Sequence, residues 1–473
     1  MKRTYLLCYI LFTLVSNLAY SQKEATHWVF GDGVHLVIDK NKFQRLSDVS
    51  LTSYEGCSSI SDSTGNLLYY SNGVDVYDGK HQPINGSGFL KSYLSCAQSS
   101  VFIKANRNEY FLITNNGLNG LYYSRIVYNE KTGNSDFEFL NKKLWCSVTE
   151  QMASFTRSSD NKTWLITHES IGNKFLSILF GNFGPEKIIE SPVGIDVHPS
   201  KISPPISEKI GMAKISPDGH WLAVTNRIGN RLDLFCFNQK SGAICNQLEL
   251  ISNHPWIYGL EFSSSSNRLF VGNVSVPMDT IYQFDLNKSL PDIKKSIQVV
   301  AISSKNNGGI QLGVDGNIYL FGPQFIGKIS NPDSTLPYFN YNDSFLNLVN
   351  RQSQFATGLP SFSASFFSST QNSVSTVACS CMTQSPSFQI PNVLTPNGDG
   401  LNDVLSFKDV CIGFEYYNLE IYNRYGQLMF NSDDVTEAVD CKGWVAGVYY
   451  VVFKYALFLG LPQKYTGTLT IIR

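Results

Sequence analysis

The sequence predicts an all-β chain, a seven-bladed β-propeller followed by a small Ig-like β-sandwich. Three observations predict it. A pattern of apolar strands and turns recurs between Trp28 and Phe367 at roughly 40 to 60 residues, the range of a four-stranded blade. The last stretch, about 85 residues long, reads as short strands separated by Asn-Gly and Asp-Gly turns, within the usual size of one domain. The composition is that of a β protein, with 13% aromatic and only 16% charged residues, Gly 36, Tyr 25 and Phe 31. A length of 473 residues allows two or three domains. The expected division is a leader at 1–21, the ring at 22–370, a linker at 371–387 and a terminal domain at 388–473.

The N-terminus reads as a secretory signal peptide. Lys2 and Arg3 precede an apolar run from Tyr5 to Val15, and Ala19-Tyr20-Ser21 places small residues for cleavage before Gln22. The run is too short for a comfortable membrane span, and no later run approaches that length. Cys8 lies inside the apolar run and not at its end, which does not support a lipoprotein site. Sec export and no transmembrane span in the mature chain are the expectation.

The ring repeats come next. The clearest copies are Cys57–Tyr70, Gly211–Val224 and Gly309–Leu320, each an apolar strand, a tight turn and a second strand. Weaker copies begin near Gln98, Gln151 and Tyr258. The expected strand starts are Ser58, Gln98, Gln151, Met212, Tyr258 and Ile310, with a seventh near Thr357. Too little chain follows Thr357 for a full blade. The strands of Trp28–Asp39 are therefore expected to complete the last blade and remove its open edges. A second repeated piece, Tyr128–Gly133 and Phe237–Gly242, suits a hairpin loop that ends in a glycine at positive φ. Ser368 to Pro386 is rich in Ser, Thr and Gln without periodicity and reads as a linker.

The terminal segment begins with Pro391-Asn392-Val393-Leu394-Thr395-Pro396-Asn397-Gly398-Asp399-Gly400-Leu401-Asn402-Asp403. It continues through Leu419-Glu420-Ile421-Tyr422-Asn423-Arg424-Tyr425-Gly426-Gln427-Leu428, a hairpin pattern. Strands then follow at Gly447-Val448-Tyr449-Tyr450 and from Gly467 to Ile472. Together these resemble the gliding-motility-associated C-terminal domain, or type B sorting domain, of proteins exported by the type IX secretion system of Bacteroidota. The resemblance implies an address for the secretion machinery, with Pro391, Thr395, Pro396, Asn397, Gly398, Asp399, Gly400, Asn402, Asp403, Tyr422, Asn423, Arg424, Gly426, Gly447, Tyr449 and Gly467 as the motif. One departure is Gly443-Trp444-Val445-Ala446-Gly447, shorter than the family's usual Trp-Asp-Gly step. The body of the chain resembles secreted Bacteroidota propellers in Glu55–Asp62, Gly65–Tyr70 and Ser95–Ser100.

Several residues are candidates for chemistry. Asn397, Asp399, Asn402 and Asp403 place oxygen ligands in one loop, which suits Ca²⁺ or a turn whose side chains bond their own backbone. No other cofactor is expected. Glu55, Glu150, His168, Glu169 and Glu261 could supply acid–base pairs, or serve as loop residues and blade-to-blade hydrogen bonds. Gln98, Gln151 and Gln311 recur near inner-strand starts and are expected to line the central channel, satisfying buried polar groups there. Glu55, Gln98, Glu150, Gln151, Glu261 and Gln311 are the candidate ligand-binding set. Nine of the ten cysteines remain after cleavage at Gln22, an odd count. Cys236 with Cys245, across a hairpin, and Cys411 with Cys441 are the candidate disulfides. Nucleophile-elbow, zinc-protease and phosphate-loop motifs are absent. A net charge of −1 does not suggest nucleic acid.

These readings lead to a non-enzymatic expectation. The ring presents a binding face for an extracellular glycan or protein, and the terminal domain directs the chain to the cell surface or medium. A secreted hydrolase or lyase acting on polysaccharide from the ring mouth is one alternative. A structural part of a surface or motility complex is the other.

Overall fold

The computed structural model describes residues 23–197, 210–254, 256–274, 278–304, 308–322, 324–334, 340–348, 358–368, 390–399, 401–407, 414–457, 459 and 462–473. The signal peptide, the 371–387 linker, Thr357 and Cys411 lie outside the described residues. No helix among the described residues is long and apolar enough to cross a membrane.

Antiparallel meanders build the body of the chain, a β-propeller-like arrangement with seven small sheets among the described residues. The first sheet has His27–Phe30, Val34–Asp39 and Lys42–Leu46. The second has Cys57–Ser61, Leu67–Ser71 and Val76–Asp78. The third runs from Ser100–Asn106 to Asn134–Trp145, and the fourth from Val148–Thr156 to Gly184–Val197. The fifth spans Ala213–Ile215 to Ala243–Ile251, the sixth Ile257–Phe262 to Gln298–Ser303, and the seventh Gly309–Leu312 to Asn340–Asn347.

Local chemistry explains the repeated turns. Asp62 accepts hydrogen bonds from the backbone N–H groups of Thr64 at 2.8 Å and Asn66 at 2.9 Å, and Gly65 follows at φ 94°. Gly219 and Gly316 hold the equivalent left-handed positions at φ 73° and 78°. The predicted hairpin loops also end as expected. Gly133 and Gly242 have φ 70° and 82°, and each donates its N–H to the residue four back at 2.8 Å.

Named contacts join each sheet to the next. Ser59 Oγ donates to the His27 carbonyl at 2.5 Å, and the Ser58 and Ser100 hydroxyls meet at 2.7 Å. Asn115 donates to the Thr149 carbonyl at 3.0 Å, and Thr225 Oγ1 to the Tyr258 carbonyl at 2.7 Å. Asp333 accepts from Ser264 at 2.7 Å. The seventh sheet meets the first through Trp28 on Tyr319, with ring centroids 5.6 Å apart, and Phe30 on Phe321 at 5.1 Å. Trp28, Phe30 and Tyr319 are fully buried. Apolar side chains fill the spaces between successive sheets, for example Phe111 on Phe180 and Phe175 on Phe235.

Closure differs from the sequence expectation. Trp28–Asp39 does not complete a sheet begun near Thr357. It pairs with Lys42–Leu46 into a sheet of its own, because two short turns make antiparallel pairing local. The late strand Pro360–Ser361 instead lies parallel to Cys57–Ser58 in the second sheet. From there the chain continues along the fourth sheet, where Ser363 bridges Ser154 in parallel. Residues 358–368 thus run down the axis of the ring, from Glu55 beside Gly358 at one end to the 156–158 turn at the other.

The predicted disulfides do not form. Cys236 and Cys441 carry free buried thiols, whereas Cys146 and Cys245 are disulfide-bonded. Cys236 and Cys245 do face each other in register. Directly opposed strand positions hold Cβ atoms about 4.5–5.5 Å apart, wider than the ~3.8 Å a disulfide prefers. The Asn246 amide lies 3.6 Å from the Cys236 sulfur instead. Cys441 sits in the apolar core of the terminal unit.

The terminal unit has a five-stranded sheet and a two-stranded sheet. The five-stranded order is Val393–Leu394, Gln463–Ile471, Gly447–Leu457, Phe414–Tyr422 and Leu428–Ser432. Val404–Leu405 pairs with Val439–Asp440. Period-2 alternation buries Tyr417, Leu419, Ile421, Tyr449, Val451, Phe453, Leu469 and Ile471 on one face. Asn423 accepts the N–H groups of Tyr425 and Gln427, and Gly426 at φ 76° completes that turn.

Candidate functional site

Inner strands converge on the axis, so their polar side chains leave water and must find partners there. Gln98, just before the third sheet, is buried, and its amide oxygen accepts two backbone N–H groups from other sheets. These are Met152 at 2.9 Å and Ala213 at 2.8 Å, while Nε2 donates to the Ala213 carbonyl at 3.1 Å. Gln151 donates to the Thr225 carbonyl at 3.1 Å. Gln311 pairs through its oxygen with Lys214 Nζ and donates to the Leu312 carbonyl at 3.1 Å. Glu261 accepts from Lys214 Nζ at 2.9 Å, from Leu312 N at 3.1 Å and from Phe262 N at 2.9 Å. The three glutamines and Glu261 therefore tie sheets together around the axis. Residues 361–367 occupy the space they enclose, leaving a void of about 20 Å³, the size of one water.

Glu55 and Glu150 gather at the end of the axis where the 358–368 segment enters. Glu150 accepts the Tyr93 hydroxyl on one oxygen and the Ala97 N–H at 3.0 Å on the other. Burial pushes its carboxyl above the usual range, and the bonds from Tyr93 and Ala97 pull the other way. Burial, then the neighbouring Glu150 charge, raise Glu55 to about 7, against the pull of Arg227 and a hydrogen bond from Ser95. Arg227 lies over the rings of Trp256 and Tyr258, 5.0 and 5.5 Å from their centroids. His168 and Glu169 lie on the strand paired with that of Glu150. His168 Nδ1 is 2.7 Å from the Glu169 carbonyl, its ring stands edge-on to Phe175, and the Glu169 carboxylate accepts the Lys174 N–H.

The opposite end of the axis opens into a cavity of about 1180 Å³. Its rim is the set of turns at 61–64, 104–108, 155–158 and 217–218, contributed by the second to fifth sheets. Ser365, Phe366 and Ser368 form its floor. Charged and amide groups ring it, among them Lys104, Asn106, Arg107 and Asn108, beside the half-exposed ring of Tyr128. None of the six residues expected to bind ligand lines this cavity. The signal for it was present in the sequence as the polar turn at the same point of each repeat.

In the 397–403 loop, side chains bond the loop's own backbone. Asp399 accepts the Leu401 N–H at 2.8 Å, Asp403 the Gly398 N–H at 2.7 Å and Asn397 the Asp399 N–H at 3.0 Å. The Leu401 N–H, and then the Asn397 side-chain amide at 2.9 Å, hold the Asp399 carboxyl below its usual range.

Residues 388–471 match the CHU_C type IX secretion signal domain. No curated protein matches the chain in sequence. Among solved structures, the Dos1 propeller is 9% identical, with 69% of this chain and 84% of that chain covered and a TM-score of 0.37. Hsv2 of Kluyveromyces lactis is 11% identical, with 68% and 98% covered and a TM-score of 0.36. The periplasmic gluconolactonase of Pseudomonas aeruginosa is 9% identical, with 84% and 94% covered and a TM-score of 0.35.

Proposed function

We propose that this chain is an exported glycan-binding protein, a seven-bladed propeller carried to the cell surface or medium by an Ig-like sorting domain. The secretion signal domain at 388–471 supports export through the type IX machinery. The observation that carries the binding reading is the cavity at the ring mouth. Loops on a rigid scaffold are where recognition groups gather. Lys104, Arg107 and the Asn106 and Asn108 amides offer donors and acceptors to sugar hydroxyls, and Tyr128 offers an apolar face. The hydrolase reading loses support because Glu150 and Glu261 spend their oxygens on backbone N–H groups and neighbouring side chains. Glu55 is the carboxyl with a raised value and a side chain still half-buried.

The binding test is a glycan array probed with the full secreted chain and with Arg107→Ala and Asn108→Ala. Retention of a glycan class by the wild type and its loss in both variants is the expected outcome. Wild-type binding unchanged in both variants would remove the cavity from the reading. A screen of the same glycans for cleavage addresses the enzyme alternative. Turnover abolished by Glu55→Gln would replace binding with catalysis. For export, deletion of 388–473 is expected to leave a folded ring trapped in the periplasm. Normal surface or medium levels of the truncated chain would defeat the address reading.

A further inference from the structure

Three of the seven histidines come together at the seam between the first and second sheets. His27 and His35 stand on adjacent strands of the first sheet. Asp48 follows the third strand of that sheet, and His81 lies in the turn after Val76–Asp78. His27 Nδ1 is 2.8 Å from His35 Nε2, and His35 Nδ1 is 2.7 Å from Asp48 Oδ1. His81 Nε2 is 3.4 Å from Asp48 Oδ2. His81 Nδ1 is engaged by the Tyr70 hydroxyl at 3.2 Å, which leaves Nε2 as the nitrogen turned toward Asp48.

His35 Nε2 faces His27 and His81 Nδ1 faces Tyr70, so His35 Nδ1 and His81 Nε2 are the ring nitrogens that meet the Asp48 carboxylate, one at each oxygen. The His35 side chain is only 2% exposed, so bulk water does not reach it freely, while Asp48 and His81 are 40% and 25% exposed and open to solvent.

We propose that His35 Nδ1, His81 Nε2 and the Asp48 carboxylate form a site for a divalent transition-metal ion of the zinc class. Two imidazoles and a carboxylate are the donor set such an ion prefers, with a fourth position left toward solvent. The three ligand atoms lie within 4.8 Å of one another. Tetrahedral bonds of about 2.0–2.2 Å hold ligand atoms roughly 3.3–3.6 Å apart, so His35 Nδ1 and Asp48 Oδ1, at 2.7 Å, must part a little while His81 draws in. His81, in a partly exposed turn, is the member able to close. His27 acts behind His35 as the acceptor that fixes its tautomer, and Tyr70 does the same for His81. The ion would join the Asp48 loop and the second sheet to the first, across a seam of the ring.

Isothermal titration of zinc chloride into the full chain at pH 7.5, after chelator treatment, tests the site. One ion per chain with a raised melting temperature is expected. His81→Ala and Asp48→Asn, at a partly exposed and an exposed position, should each weaken binding by at least about tenfold and abolish the thermal shift. Cobalt(II) substitution should give a spectrum of nitrogen and oxygen ligands without thiolate absorption. The absence of binding to the wild type would overturn the proposal, leaving a hydrogen bond between His35 and Asp48. So would equal binding by His81→Ala, or a thiolate spectrum, which would point to the cysteines.

Discussion

The two ends of the ring's axis are made from the same repeat and have opposite chemistry. At the Glu55 end, the starts of inner strands crowd together, and Gln98 and Glu150 are drawn into tying sheets. At the cavity end, the turns between first and second strands splay apart and leave their polar groups to solvent. The difference lies in where the backbone obligations fall. Gln98 and Glu150 satisfy N–H groups that no ladder partner reaches. Asp62 and Asp315 satisfy theirs within a single turn, so the neighbouring side chains remain available. Polar residues on the axis hold the ring together, and those on the turns are left for recognition.

Removing an axial tie should have the largest effect. Gln98→Ala strands the Met152 and Ala213 N–H groups, each costing about 1–3 kcal/mol when buried without a partner. A loss of roughly 2–5 kcal/mol in a denaturant titration is expected. A loss below about 1 kcal/mol would mean that the axis is not where the ring is held.

The next effect separates the two ends by pH. Glu55 titrates near 7 in the fold and near 4.5 when unfolded. Between those values the native state holds the extra proton, so stability falls as pH rises from about 4.5 to about 7 and stays lower above. Glu55→Gln should gain about 1–3 kcal/mol over the wild type at pH 8 and little at pH 4.5. Melting curves from pH 4.5 to 8 give the comparison, and a difference independent of pH would contradict it.

The cavity end should show the smallest stability change. Arg107→Ala, on an exposed rim turn, is expected to shift stability by no more than about 0.5 kcal/mol while weakening glycan retention. A large destabilisation there would make the rim structural and erase the contrast between the ends.

Much of the ring was legible in the chain. Strands begin at Cys57, Ser100, Val148, Ala213, Ile257 and Gly309, within a few residues of the expected starts, because each turn carries its own Asx and glycine chemistry. The axial position of Gln98, Gln151 and Gln311 was legible for the same reason. Their commitment to other sheets was not, since Gln98 meets Ala213 across 115 residues. The cysteines failed as evidence because facing positions do not fix sulfur geometry, and Cys236 stays a thiol opposite Cys245.

By itself the sequence determined what is local: strand period, the turn at Asp62–Gly65, the hairpin glycines, and the terminal motif from Pro391 onward. These depend on φ preferences and side chains that bond within four residues. Tertiary structure alone decided the path of residues 358–368 down the axis, the cavity they floor, and the meeting of His35, Asp48 and His81. Those outcomes depend on which distant groups burial forces together, and a buried polar atom takes the partner that the closed ring supplies.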